Sequence, residues 1–154
     1  MKFAACSQEM AEDTQFPESC LVISITDSKR ELAKIEHPKL LRLEFHDIDR
    51  KGNNKYILFD ESFAKKILAY VNDNIEGTKS IVAHCHAGVS RSPAVISALS
   101  YILNGSDHDL LKAYEFFNRR VYSTIAREFQ NNYDEYKAMT DFFNLKLKAK
   151  KVNK

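Results

Sequence analysis

The stretch that decides the fold of this chain is HCHAGVSRSP, residues 84–93. The residues before it, SIVAH (80–84), form a short apolar run that is typical of a buried strand. The residues after it, PAVISALSYILN (93–104), are mostly apolar and predict a buried helix that begins near Arg91 or Ser92. The quoted stretch is therefore predicted to be the turn between a strand and a helix.

Two more strands and a helix are predicted before this turn. CLVISIT (20–26) and LLRLEF (40–45) are short runs rich in residues that favour strands. After the second run, apolar residues recur at helical spacing, with Asp60 as a cap before them and Gly77 as a stop after them. This alternation predicts an α/β fold, with a central mixed or partly parallel sheet flanked by helices.

Two further helices are predicted after residue 105. The first is marked by apolar residues at Leu110, Leu111, Tyr114 and Phe117. The second is marked by a mainly aromatic stripe at Phe129, Tyr133, Tyr136, Met139 and Phe143. We interpret the stripe as part of the core, because large apolar side chains at helical spacing usually face the interior.

Length and composition predict one domain over residues 1–154, with a core at about 20–145, a short N-terminal segment and a basic C-terminal tail. The net charge of +2 gives no overall argument for nucleic acid or a membrane surface as a partner. No apolar run is long enough to span a bilayer, and the N-terminus lacks the core of a signal peptide. We therefore expect a cytoplasmic protein.

Three cysteines are present, and we expect all of them to be thiols in a reducing compartment. Cys6 lies in a segment predicted to be poorly ordered, and Cys20 lies in a strand as an inert core thiol. Cys85 differs from both, because it leaves the carboxyl end of a strand, where open α/β sheets bind ligands. The following helix start attracts anions, so we expect Cys85 to be a thiolate near neutral pH.

The turn after Cys85 has the composition of a phosphate-binding loop. Gly88 lets the chain bend so that successive backbone N–H groups converge on one point. The residues that supply this cradle are His86, Ala87, Gly88, Val89, Ser90 and Arg91. The guanidinium of Arg91 can hold two phosphate oxygens, and Ser92 can hydrogen-bond the sulfur.

The histidines beside Cys85 do not indicate a metal site. Side chains of adjacent residues point apart, and no second Cys/His pair stands at the spacing that zinc requires. We interpret His84 as an internal hydrogen-bonding group that supports the loop.

The stretch HCHAGVSRS resembles HCxxGxxR(S/T), the signature loop of the cysteine-based protein tyrosine phosphatases, and most closely their compact dual-specificity branch. The resemblance covers most of residues 20–140 and extends to AYEFFNRR (113–120), which is similar to a helix of that branch that ends in two arginines. The chain then departs from the branch: it reads VYSTIAREF (121–129) where a Pro-Asn pair often braces the loop. The side chain that braces the loop here is therefore left open.

The resemblance implies a protein tyrosine phosphatase-like fold and a general acid on the loop after the strand LLRLEF. That loop reads HDIDRKGNN (46–54) and offers Asp47 and Asp49; we favour Asp47. Cys85 would be the nucleophile, Arg91 would bind phosphate, Asp47 would act as acid and then base, and Ser92 would assist hydrolysis. Residues 50–54 of this loop lie outside the part of the chain that the structure describes.

We predict a hydrolase that acts on phosphotyrosine in proteins or peptides through a phosphocysteine intermediate, without metal or cofactor, as a monomer. The short chain would also admit phosphoserine and phosphothreonine. The loop carries no lysine, which favours phosphoprotein over inositol lipid. Two alternatives stay open: a phosphate-binding module with little turnover, and another Cys-x5-Arg enzyme such as an arsenate reductase, in which the motif lies near the N-terminus.

Overall fold

The computed structural model describes residues 1–49 and 55–153. Its sheet has four strands: β1 (Lys2–Ser7), β2 (Cys20–Thr26), β3 (Leu40–Glu44) and β4 (Ser80–Cys85). The strand order is β1-β4-β2-β3, and each of the three pairings is parallel. The predicted α/β architecture is therefore confirmed, with a sheet that is wholly parallel in the described residues.

The sequence of the central strand β2 does not alternate between apolar and polar residues. All seven of its residues are buried, because helices cover both faces of a parallel sheet. The strand therefore reads as a continuous apolar run rather than as an alternating one. The predicted bounds of β2 agree with the structure, and those of β3 and β4 differ by one residue at the carboxyl end.

The strand β1 corrects the expectation that Cys6 lies in a poorly ordered end. Residues 2–7 pair with β4, so that Cys6 lies opposite His84 and Ser7 opposite Cys85. As an edge strand, β1 is only partly buried, and its apolar run of four residues includes two alanines, which do not favour strands. Its place is set by a partner strand more than 70 residues away, which no local pattern reveals.

Within the described residues, six helices and one short 3-10 helix surround the sheet. In chain order they are α1 (Gln8–Glu12), α2 (Glu61–Asn74), α3 (Arg91–Asn104), α4 (His108–Ala113), α5 (Arg119–Asn131), the 3-10 helix Tyr133–Tyr136, and α6 (Lys137–Val152). Asp60 caps α2, since its carboxylate accepts hydrogen bonds from the N–H groups of Ser62 and Phe63. No helix of residues 1–49 and 55–153 combines the length and apolar character needed to cross a bilayer.

Helix α3 fixes the position of the turn that precedes it. Twelve of its fourteen residues are buried against the sheet and helices α5 and α6. It ends at Gly105, whose backbone is left-handed at φ 72° and whose N–H bonds the carbonyl of Tyr101. The predicted helix is therefore confirmed at both ends, and its first residue, Arg91, is buried with it.

The C-terminal third differs from the prediction. Helix α4 ends at Ala113, so Tyr114 and Phe117 lie outside it. The two arginines at 119 and 120 begin α5 instead of ending a helix, because Asn118 accepts a hydrogen bond from the N–H of Val121 and caps that helix. The aromatic stripe from Phe129 to Phe143 is divided among α5, the 3-10 helix and α6.

Candidate active site

Cys85 is the last residue of β4 and is only 2% exposed. Its Sγ lies 3.2 Å from the hydroxyl Oγ of Ser92 and 3.3 Å from the backbone nitrogen of Gly88, which donates to it. The six residues predicted to form the cradle, His86 to Arg91, make the turn between β4 and the first residue of α3. Two hydrogen-bonding groups thus reach the sulfur within the turn that leads into a buried helix.

Gly88 is required for two reasons. Its backbone is left-handed, with φ at 75°, a conformation that side chains disfavour. A Cβ at this position would also lie 2.5 Å from the carbonyl carbon of Cys6 and 2.6 Å from the nitrogen of Ser7. The sequence indicated the bend, whereas the close approach to β1 follows only from the pairing of that strand with β4.

Arg91 is held beside the turn by one end of its guanidinium. Its Nη1 donates to a carboxylate oxygen of Asp27 at 2.5 Å and to the carbonyl oxygen of Phe45 at 2.8 Å. Its Nε is buried and has no hydrogen-bond partner among the described residues. The residue is 5% exposed, so its orientation is fixed by these two acceptors while the Nε edge keeps an unused donor.

Asp27 is a site residue that the sequence analysis missed. It directly follows β2, and its second carboxylate oxygen accepts a hydrogen bond from Nε of Arg30 at 3.3 Å. An acidic residue at the carboxyl end of a buried strand was a signal available in the sequence. Its pairing with Arg91, 64 residues away, was not.

Asp47 lies at the same turn but on its exposed side. One of its carboxylate oxygens accepts hydrogen bonds from Oγ of Ser90 at 2.7 Å and from Nδ2 of Asn118 at 2.9 Å. Asp49, the other candidate acid, is also exposed. The structure thus joins Asp47 to the cradle through Ser90, a residue of the turn itself.

Asn118 contacts the loop through its backbone, and its side chain contacts Asp47. Its backbone N–H donates to the carbonyl of Ser90 at 3.0 Å, and its side chain donates to Asp47. The same side chain accepts the N–H of Val121 at the start of α5. Asn118 lies just before the two arginines at 119 and 120, whereas the departure from the family pattern was noted in the residues after them.

The two histidines beside Cys85 have different surroundings. His84 is fully buried, and its Nε2 lies 2.7 Å from the hydroxyl of Ser24. Burial lowers the pKa of His84, because the interior disfavours the charged ring. His86 is exposed, and Nη1 of Arg30 lies 3.1 and 3.2 Å from its two ring nitrogens.

Within residues 1–49 and 55–153, no group of three or more His, Cys, Asp or Glu side chains is placed to hold a metal ion. The three cysteines, Cys6, Cys20 and Cys85, are free thiols. Burial is the main cause that raises the pKa of Cys6 and Cys20, which suits the expected inert role of Cys20.

No protein-family model matches the chain. The chain is similar to a protein of Invertebrate iridescent virus 6 named "Putative tyrosine phosphatase 123R", with 30% identity over 59 residues, which are 38% of this chain and 40% of that protein. The chain thus matches about two fifths of the length of this curated relative.

Solved structures show the fold more completely. Human DUSP28 is 12% identical with a TM-score of 0.57, over 86% of this chain and 94% of that one. PTPMT1 in complex with PI(5)P is 14% identical with a TM-score of 0.53, over 91% and 93%. The human tyrosine phosphatase-like serine/threonine/tyrosine-interacting protein is 16% identical with a TM-score of 0.50, over 75% and 79%. The chain therefore has the fold of the dual-specificity and tyrosine phosphatases.

Proposed function

We propose that this chain is a phosphoprotein phosphatase that hydrolyses phosphotyrosine through a phosphocysteine intermediate, with phosphoserine and phosphothreonine as further substrates. The observation that carries the proposal is that one short turn has a buried sulfur at its first end and a buried, fixed guanidinium at its other end. Cys85 ends β4 with two donors on its sulfur, and Arg91 begins α3 with a buried Nε that has no partner in the described residues. A phosphoryl oxygen would supply the acceptor that this Nε needs.

In the first step, the thiolate of Cys85 attacks phosphorus and the S–P bond forms. The bond between phosphorus and the tyrosyl oxygen breaks, and Asp47 gives its proton to that oxygen, so that the leaving group departs as a phenol. Arg91 and the backbone N–H groups of the turn hold the equatorial oxygens. Asp47 is suited to this role because its hydrogen bond to Ser90 keeps it beside the turn.

In the second step, water attacks phosphorus and gives a proton to the Asp47 carboxylate. The S–P bond breaks, its electron pair returns to sulfur, and inorganic phosphate is released. Ser92, whose Oγ is 3.2 Å from Sγ, donates a hydrogen bond to the emerging thiolate. His84 supports the turn as a neutral ring, tying the end of β4 to Ser24 of β2. No metal or cofactor takes part.

Phosphoprotein is proposed over inositol lipid because residues 86–90 contain no lysine to hold further phosphates. The PTPMT1 structure contains PI(5)P, which makes that lipid the appropriate competitor in a test. The free thiols suit a reducing cytoplasm, and we place the protein there as a monomer.

The test is hydrolysis of p-nitrophenyl phosphate and of a phosphotyrosine peptide in the presence of EDTA, with PI(5)P as a third substrate. We expect the parent protein to hydrolyse the first two, and Cys85→Ser to lose turnover while still binding vanadate, because its hydroxyl stays protonated and the cradle remains. Turnover that survives in Cys85→Ser, or that requires a metal, would contradict the mechanism. Faster release of phosphate from PI(5)P than from peptide would contradict the substrate class.

A further inference from the structure

The two sides of the proposed cradle differ in chemistry. On one side, the carbonyl of His86 accepts the N–H of Gln8, and the ring of His86 contacts Arg30. The cleft on this side is lined by polar and charged residues: Ser7, Gln8, Glu9, Glu12, Arg30, Glu31 and His86. This side is therefore hydrophilic and carries three carboxylates.

Three exposed apolar side chains belong to the turn itself or to segments that contact the turn or the loop of Asp47. Val89 lies within the turn and is 55% exposed. Ile57 is 40% exposed, and its backbone exchanges hydrogen bonds with His46, the residue before Asp47. Phe116 is 81% exposed and lies two residues before Asn118, which contacts both Ser90 and Asp47.

Chain geometry keeps the backbone of Phe116 close to a residue that contacts the turn. Two residues of extended chain span at most about 7 Å, so the backbone of Phe116 lies within that distance of Asn118. The neighbouring Phe117 packs on the core and against Tyr122, whereas the ring of Phe116 remains in solvent. The exposed ring of Phe116 is therefore free of the core and accessible to a ligand bound at the turn.

We propose that Phe116, with Ile57 and Val89, forms an apolar rim that selects phosphorylated peptides with a bulky apolar residue next to the phosphorylated one. This inference rests on the proposed function, because the rim adjoins the cradle that would hold the phosphate. A peptide is favoured over an anionic bilayer. A bilayer is wide enough to cover both sides of the cradle, so its negative charges would also meet Glu9, Glu12 and Glu31 and be repelled by them. A peptide seated by its phosphate needs to touch only the apolar side.

The test uses phosphotyrosine peptides that differ only in the two residues flanking the phosphotyrosine, which are leucine in one peptide and serine in the other. We expect the parent protein to show kcat/KM about tenfold higher for the leucine peptide, a factor in keeping with partial burial of one leucine side chain. Phe116→Ala should reduce this ratio to about two and leave hydrolysis of p-nitrophenyl phosphate unchanged, because that substrate is too small to reach the rim.

The matched control is Tyr101→Ala, which removes an exposed aromatic ring ten residues into α3, about 15 Å along the helix from Arg91. It should keep the parent ratio. Equal kcat/KM for the two peptides in the parent, or the same loss in Tyr101→Ala as in Phe116→Ala, would overturn the proposal. A third result would also overturn the proposal: the parent binds phosphatidylcholine vesicles that contain phosphatidylserine, Phe116→Ala does not, and the parent shows no preference between the two peptides.

A binding measurement distinguishes failure of the proposed reaction from failure of the proposed apolar rim. If the parent hydrolyses neither p-nitrophenyl phosphate nor peptide, the two peptides are titrated against Cys85→Ser by fluorescence anisotropy. Tighter binding of the leucine peptide, lost in Cys85→Ser/Phe116→Ala, would support the rim without catalysis. Equal affinities would overturn the rim as well.

Discussion

Two aspartates reach the turn after β4 from neighbouring strands, and they are held in different ways. Asp27 follows β2 directly and is paired with Arg91, whose side chain is 6% exposed. Asp47 follows β3 on an exposed loop and is bonded to Ser90 and Asn118 through neutral donors. The first carboxylate is occupied by the guanidinium of Arg91, whereas the second lies exposed beside the turn, where a substrate could reach it, so we assign acid–base chemistry to the second.

The largest expected effect comes from Arg91→Lys, on the buried side. Lysine keeps the charge but has no planar fork and cannot present an Nε donor while bonding Asp27 and Phe45. We expect kcat/KM to fall by about two to three orders of magnitude, with an unchanged circular dichroism spectrum.

A labelling experiment supports the same comparison. Vanadate should protect Cys85 of the parent from iodoacetate and protect the Arg91→Lys variant poorly. Near-parent turnover with full protection would mean that Arg91 caps a helix and that the resemblance at residues 84–93 carries no chemistry.

Asp47→Asn tests the exposed side. Because asparagine cannot supply a proton, we expect kcat for a phosphotyrosine peptide to fall by about two orders of magnitude, and less for an aryl phosphate with a better leaving group. Asp49→Asn is the matched control and should stay near the parent. If Asp49→Asn shows the dependence on leaving group instead, the acid has been assigned two residues too early.

Gly88→Ala tests how rigid the buried side is. The added Cβ would meet the backbone of β1 at 2.5 Å in a left-handed conformation, so we expect a loss of about 2–4 kcal/mol in the free energy of unfolding. Gly77→Ala is the control, since Gly77 has φ 74° but nothing within 4 Å of the added Cβ, and should lose only about 1–2 kcal/mol. Urea denaturation measures both. Equal losses of unfolding free energy in the two variants would show that β1 moves away from the added Cβ without destabilising the protein.

The smallest effect is expected for Asp27→Asn, which keeps an acceptor for Arg91 but removes the charge. We expect kcat/KM to fall about threefold to tenfold, by the same factor for substrates with good and poor leaving groups, because Asp27 positions Arg91 and transfers no proton. Stopped-flow or steady-state assays with both substrates measure kcat/KM of the variant relative to the parent. An increase in kcat/KM would show instead that Asp27 competes with phosphate for the guanidinium.

Much of the fold was predictable because its signals are local. The bounds of β2, the Asp60 cap of α2 and the Gly105 end of α3 each depend on residues within a few positions of one another. The C-terminal third was predicted less well. There the apolar spacing continued through Asn132 and outweighed the pair of asparagines at 131 and 132, which favours a helix end at the break between α5 and the 3-10 helix.

The sequence by itself determined the turn at residues 84–93. Cys85 touches Gly88 and Ser92, three and seven positions away, so a single short stretch contains both hydrogen-bond contacts found for the sulfur in the described residues. Tertiary structure alone decided what surrounds that turn. Asp27 meets Arg91 across 64 positions and Asn118 meets Asp47 across 71. Such pairings depend on how strands and helices pack, and packing across the sheet leaves no period or spacing in the sequence by which those partners could be found.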